Sequence, residues 1–355
     1  MISIPGASLN GRFRVVLVAA TSVFLFFVLY NFIDYGSVPL AEAQRPHERP
    51  YGQSDYVAPV VLTEDENAFV EVSSVAQGHV QSSTPTPTPT LSSSSTFSAL
   101  ASEISPAPLG AIIAASMHTT NTTWMHKLSD SWTLYPYVAD NPFPPPELEI
   151  PRNKGHEAMV YLTFIINHWD ALPPRMIFVH GHRTSWHQEN DTVSLIRSLR
   201  LPALEEVGYI PLRCDWYPSC PAEIRPITHD AVVWGPGVHR EDAENGIAEA
   251  WETLFPGVPI PETIASQCCA QFAVSRAAVQ RRQKADYERV REWLMETELE
   301  DDVSGRVLEK LWAYIMTEDA VRCPAPQECA CDYFGICAVR GWPEPPEGLA
   351  RWPER

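Results

Sequence analysis

The spacing of apolar positions changes three times along this chain. Val15 to Ile33 is one apolar run, interrupted only by small or weakly polar residues. As a helix rising 1.5 Å per residue it would cover roughly 28 Å, close to the hydrocarbon thickness of a bilayer. Residues 34–108 carry neither a helical nor a strand period. Within them "SSTPTPTPTLSSSSTFS" cannot bury enough apolar surface to offset the entropy of ordering. Its Thr-Pro alternation favours extended backbone, so the segment reads as a disordered, semi-rigid Ser/Thr/Pro stem suited to O-glycosylation.

From Leu109 the pattern becomes that of a folded domain. "LGAIIAASM" is a short apolar run bounded by Pro108 and polar residues, and reads as a buried strand. Thr123–Lys127 reads as a short helix and "WTLYPYVAD" as a strand ending at Asp140. The proline-rich "NPFPPPELEIP" excludes regular structure. Ala158, Tyr161, Leu162, Ile165, Ile166 and Trp169 then follow helical spacing, with Gly155 just before them and Pro173 after. "RMIFVHG" predicts a strand, "SWHQENDTVSLIRSL" a helix and "GYIPLRC" another strand. This alternation predicts an α/β domain over 109–340, built on a mixed, mostly parallel sheet flanked by helices with right-handed crossovers. Past Ala265 the pattern is helical over Gln267–Arg282, Lys284–Glu296 and Val303–Met316. The cysteine-rich "CPAPQECACDYFGIC" forms a cap, and 341–355 is a Pro-rich tail.

Charge orients the first run. Arg12 and Arg14 precede it and Asp34 follows it, so residues 1–14 are expected to be a cytoplasmic tail and 15–33 a type II signal anchor. A cleaved signal peptide is the alternative, because Ala41-Glu42-Ala43 imitates a cleavage site. The apolar run is longer than the usual h-region of about 7–15 residues, and that site lies well beyond its end. Both readings place the remainder in the secretory lumen or outside the cell, with the Golgi expected and the cell surface as the alternative. Asn121-Thr122-Thr123 and Asn190-Asp191-Thr192 are sequons that fit such a compartment.

The chain has 355 residues and a formal net charge of −18, with no basic stripe, which argues against nucleic-acid binding. Its eight cysteines all lie between Cys214 and Cys337. Three pairs share the spacing C-x5-C: Cys214/Cys220, Cys323/Cys329 and Cys331/Cys337. Structural zinc favours tighter spacing, so disulfides are expected, with on the order of 100 connectivities open.

Candidate chemistry gathers where strands end. Ser116 and His118, Asp140, His180-Gly181-His182, Arg213 and Asp215 all follow predicted strands, and ligands of open α/β sheets bind beyond the carboxyl ends. His180, His182 and His187 offer three imidazoles for a divalent metal, the candidate cofactor, with backbone hydrogen bonding as the plain alternative. Lys154, at a helix start with free N–H groups, is a candidate for an anionic group such as a diphosphate, against plain helix capping. Gln271, Arg276 and Arg183 are further substrate-binding candidates. Asp140 and Glu309 are the candidate catalytic carboxylates. Glu309 lies in a core-facing pattern, where a base with a raised pKa and an ion pair with Lys310 or Arg306 are both open. No G-x-S-x-G, P-loop, H-E-x-x-H or G-x-G-x-x-G is present.

"NKGHEAMVYLTFIINHWDALPPRMIFVHGHRTSWH", "LRCDWYPSCP", "CCAQFAVSRAAV" and "SGRVLEKLWAYIM" resemble a family of uncharacterised fungal proteins that share one domain of unknown function, over about Leu109 to Val339. The segment order is also similar to GT-A-type glycosyltransferases. Their Asp-x-Asp, which holds a metal and the sugar diphosphate, would fall where this chain has His180-Gly181-His182. That second resemblance implies a nucleotide-sugar donor and a glycan acceptor, with "QFAVSR" near the acceptor and Glu309 as base. Anchor, stem and luminal head point the same way by analogy. A non-catalytic carbohydrate-binding or adaptor protein is the alternative reading, and a metal-dependent hydrolase the third.

Overall fold

A computed structural model describes residues 107–351, apart from 233, 236 and 238. The expected tail, anchor and nearly all of the stem lie outside the described residues, and no helix among the described residues is long and apolar enough to cross a membrane. The domain opens with β1 (Ala111–Ser116), a 3-10 segment at Thr123–Leu128 and β2 (Thr133–Val138). Then come α1 (Ala158–Asn167), β3 (Arg175–His180), α2 (Thr192–Ser198), α3 (Leu201–Val207) and β4 (Tyr209–Pro211). The second half holds α4 (Arg240–Leu254), β5 (Ala265–Ser266), β6 (Phe272–Ser275) and α5 (Arg276–Val279). It closes with α6 (Lys284–Glu296), α7 (Asp301–Thr317), β7 (Val321–Arg322) and α8 (Pro326–Phe334).

The main sheet has the order β2-β1-β3-β6-β4. β1 pairs in parallel with β2 and β3, while β6 pairs antiparallel with both β3 and β4. The sheet is therefore mixed, with β1, β2, β3 and β4 running the same way and β6 reversed between β3 and β4. β5 and β7 form a separate parallel pair. The two edge strands carry the prolines, Pro136 in β2 and Pro211 in β4, where a missing N–H costs least.

Strand residues alternate between two apolar layers, as the pleat requires. Ala111, Ile113, Met176, Phe178, Phe272 and Val274 face α1, α4, α6 and α7, with Trp312 fully enclosed among them. Ile112, Ala114, Ile177, Val179 and Ala273 face the other way, toward the 3-10 segment, α2 and α8. With both faces covered, the ends of the strands are where backbone and polar side chains meet solvent.

Two sequence expectations fail, each for its own reason. Gln267–Arg282 is not a helix: its centre, Phe272–Ser275, is the strand β6 between β3 and β4. Phe272, Ala273 and Val274 are each fully buried on alternate faces, and this tertiary burial overrides local propensity. Ser185–Asp191 is likewise a loop, and α2 begins only after Asp191, whose carboxylate accepts from the Val193 N–H as an N-cap.

All eight cysteines are paired: Cys214–Cys329, Cys220–Cys323, Cys268–Cys269 and Cys331–Cys337. Only the last closes within a C-x5-C repeat. The other two repeats are bonded to each other in opposite directions, which clamps the segment after β4 to α8 and the strand before it. Peptide mapping without reduction should recover these four linkages. Removing the Cys214–Cys329 bond as a double Ser variant is expected to cost about 2–5 kcal/mol in chemical denaturation.

Candidate functional site

β1 is flanked by β2 on one side and by β3 on the other, so the β1→β2 and β2→β3 crossovers run in opposite directions along the sheet. This is a topological switch point, and the crevice beyond the carboxyl ends of β1 and β3 is where a ligand finds room. The two strand ends approach closely. The Gly181 N–H donates to the Ala115 carbonyl at 2.8 Å, and the Gly181 carbonyl accepts from Trp124 Nε1 at 2.8 Å. A Cβ at Gly181 would lie 2.5 Å from that of Ser116. The glycine between the two histidines therefore meets a packing demand.

Two cavities share His180 as a wall. One, of about 480 Å³, lies at the switch point and is lined by Ser116, Glu157, His182, Asp301 and Asp302. The other, of about 330 Å³, is lined by Trp186, His187, Trp234, the Cys268–Cys269 pair, Glu309 and Lys310. Glu157, just before α1, brings its carboxyl to 3.7 Å from His180 Nε2, which makes no hydrogen bond. Burial, aided by the charge of Glu309, pushes the Glu157 carboxyl up to about 8. Burial and the neighbouring His187 push His180 down to about 3, and burial with Arg213 pushes His187 down to about 4, so both imidazoles are neutral near pH 7.

Glu309 behaves oppositely. Burial raises it, but Lys310 and Arg306 outweigh burial and hold its carboxyl below the usual range. Lys310 Nζ sits 3.1 Å from Glu309 and 2.9 Å from Glu223, and Arg306 Nε is 3.6 Å from Glu309. Of the two alternatives open for Glu309, the ion pair is the one present, with both partners at once; the raised pKa belongs to Glu157. The site thus holds a protonated carboxyl, a neutral imidazole and an ionised carboxylate together.

The remaining candidates divide by position. Gln271 is at the site: its Oε1 accepts from the His180 N–H at 3.2 Å. His182 lines the first cavity and His187 the second. Their rings lie beside that of His180 with centroids 6.2 and 5.3 Å away, the His187 ring tilted over it by 31°. Among the described residues no group of three or more His, Cys, Asp or Glu side chains is placed to hold a metal ion. β3 ends at His180, so His182 does not continue the strand.

Four candidates are engaged elsewhere. Arg276 follows β6, which runs antiparallel, so it emerges at the opposite end of the sheet, with its N–H on the Pro174 carbonyl. Asp140 lines neither cavity and pairs with the His118 ring, which holds its carboxyl low. Lys154 donates to the Leu299 carbonyl at 3.1 Å, and the neighbouring Gly155 N–H to Asp301 at 3.2 Å, so this loop already carries a carboxylate where an anion was expected. Arg183 bonds the α2 cap, Asp191, at 3.2 Å.

Glu157, Glu223, Lys310 and the Cys268–Cys269 pair were not legible as site residues. One signal was present for Glu157: a carboxylate directly before a helix in which every residue from Ala158 to Ile166 is buried has no solvent face to occupy.

The described residues form an α/β domain whose mixed sheet is covered on both faces, with titratable groups gathered at its switch point. Residues 112–332 match the family described as "Protein of unknown function (DUF3431)", and the chain belongs to that family. No curated protein and no solved structure is similar enough to this chain to match it, so the likeness to GT-A enzymes rests on segment order alone.

Gly181→Ala is expected to destabilise the fold by about 1–3 kcal/mol through overpacking against Ser116, read as a lowered Tm. Glu157 makes stability pH-dependent with a definite sign. Its folded pKa is raised, so above its ordinary value of 4.5 the unfolded chain releases a proton that the folded protein retains to about pH 8. Stability is lost as pH rises through that window. Glu157→Gln removes this loss, and its gain over wild type should grow by on the order of a few kcal/mol between pH 4.5 and 8 in denaturant titrations.

Proposed function

We propose that the domain is a glycosyl-transferring enzyme that uses a nucleotide-sugar donor and passes the sugar to a hydroxyl of an acceptor glycan. The observation that carries this reading is the convergence of two carboxyl groups, Glu157 and Glu309, on one neutral imidazole, His180, beyond the carboxyl ends of β1 and β3. Such transfer needs one group to take a proton from the acceptor and another to relieve charge on the leaving oxygen. Ionised Glu309 accepts the hydroxyl proton as the acceptor oxygen bonds to the anomeric carbon. The bond to the diphosphate oxygen breaks, the diphosphate leaves with the electron pair, and protonated Glu157 donates to it. Arg306, whose side chain is 35% exposed, offers a charge to the same leaving group.

A second reading, carbohydrate binding without turnover, is favoured by Trp186, which is 67% exposed at the second cavity, and by Trp234 beside it. Metal-dependent hydrolysis would need a ligand set that the described residues do not assemble. We also propose that the domain sits in the secretory lumen behind a single-pass type II anchor at 15–33 and a stem. The apolar run and the four disulfides support this placement.

Turnover of UDP- and GDP-sugars, read as released nucleotide, tests the assignment. Glu309→Gln should lower kcat/KM by roughly 10²–10⁴-fold. Activity should fall as pH rises through about 8, where Glu157 loses its proton, and Glu157→Gln should abolish that limb. His180 and His187 stay neutral across this range and add no limb. Sugar binding that persists without turnover favours the second reading. If calorimetry shows no binding of nucleoside diphosphates, the transferase assignment falls.

A further inference from the structure

The disulfide between Cys268 and Cys269 has no account in stability. Cross-linking stabilises chiefly by shortening the loops of the unfolded chain, so its effect grows with loop length. The Cys214–Cys329 and Cys220–Cys323 bonds span 115 and 103 residues, whereas this bond joins neighbours. It also lies in strained backbone: Cys269 has φ +152° and Ala270 φ +55°. Positive φ at non-glycine residues costs of order 1–3 kcal/mol each and persists where surrounding structure over-determines it, commonly at ligand clamps. Here the next residue, Gln271, is tied at both ends of its polar set. Its side chain accepts from the His180 N–H at 3.2 Å and its carbonyl from the Leu212 N–H at 2.9 Å.

The bond forms part of the wall of the second cavity. Cys268 is buried and Cys269 half-buried, and both line the space shared by Trp186, Trp234, Glu309 and Lys310. Two polarizable sulfurs closed into a small ring present a rigid surface without strong hydrogen-bonding groups. The exposed indole of Trp186, stacked on His187 with ring centroids 5.3 Å apart, is a second such surface. Charged side chains, Glu309, Glu223, Arg306 and Lys310, line the same space. A ligand matching this wall has flat C–H faces and a rim of hydroxyls. A wholly apolar ligand would leave the charged groups unmatched, and a simple anion would leave the sulfur and indole surfaces unused.

We propose that the Cys268–Cys269 disulfide is a ligand-contact surface on which the C–H face of a pyranose ring packs, while Glu309 and its polar neighbours take the hydroxyls. This rests on the reading of the cleft as a carbohydrate site and adds the element that grips the sugar.

The test uses the full chain and two probe sets: methyl pyranosides of glucose, galactose, mannose and N-acetylglucosamine, and the corresponding UDP- and GDP-sugars. Binding is first measured by calorimetry and tryptophan fluorescence. Dithiothreitol is then added with and without a bound probe. Its thiolate attacks one sulfur and breaks the S–S bond; its second thiolate closes the reagent's own disulfide and leaves two cysteine thiols, a balanced two-electron exchange. Alkylation and peptide mass spectrometry report each disulfide separately. At a probe concentration ten times its Kd, reduction of Cys268–Cys269 should slow about tenfold, while Cys331–Cys337 on the surface is unaffected. The variant Cys268→Ser/Cys269→Ser should bind the same probe about tenfold more weakly; should it fail to fold, the protection measurement on the native protein decides alone. A probe that binds yet leaves the reduction rate of Cys268–Cys269 unchanged overturns this inference and leaves the carbohydrate reading standing. Wild-type protein that binds none of the probes overturns both.

Discussion

The chemistry of the cleft depends on one buried cation. Lys310 is carried into the interior on α7, where its side chain is 6% exposed, and Glu223 and Glu309 neutralise it at 2.9 and 3.1 Å. A lone ammonium could not be held there, because the cost of desolvation would strip its proton or expel it. The two carboxylates more than offset that cost, so the Lys310 ammonium stays above its usual pKa. Its charge in turn helps hold Glu309 ionised. Glu309 then adds to the burial that keeps Glu157 protonated. Lys310 thus acts on Glu309 directly and on Glu157 through it, while burial is the main cause of the neutral state of His180 and His187.

The disulfides and the sheet divide the work of keeping this arrangement in place. Cys214–Cys329 and Cys220–Cys323 bind the chain after β4 to the segment leading into α8. Between those cysteines lies Ser219, whose hydroxyl is 3.4 Å from Lys310 Nζ, and Glu223 follows shortly after. The long-range bonds thus steady a segment that would otherwise be a loop with few apolar anchors. The sheet positions the other half. β1, β3 and β6 bring Ser116, His180 and Gln271 to one end because their apolar residues are sealed on both faces. A raised carboxyl, an unbonded imidazole nitrogen and strained backbone at Cys269 and Ala270 all weaken the fold, and all lie at this one cleft. Such concentration of unfavourable features is what a functional site imposes on a stable scaffold.

Sequence alone carried much of the architecture. Ala158–Asn167 and Lys284–Glu296 were legible as helices, and Ala111–Ser116 and Arg175–His180 as strands, because their apolar spacing or length is dictated locally. The importance of the strand end at His180 was legible too, since a polar residue closing an apolar run has few other places to be. Family membership was legible in long, specific motifs, and residues 112–332 bear it out. The strand β6 was not legible, because "FAVS" is compatible with either state until two neighbouring strands claim its N–H and C=O groups.

What the tertiary structure decided is which polar groups share one space. Arg276 and Gln271 are near neighbours in sequence, yet the antiparallel run of β6 sends them to opposite ends of the sheet. Sequence left Glu309 with a raised pKa or an ion pair both open; the fold gives it the ion pair, and burial raises Glu157 instead. The cysteine pairing followed the same logic, since spacing defines who is near in the chain and packing defines who is near in space. Periodicity and covalent geometry act over a few residues, so sequence determines elements. Electrostatic environment and burial are sums over contacts distant in the chain, so only the folded structure decides protonation, pairing and the shape of the cleft.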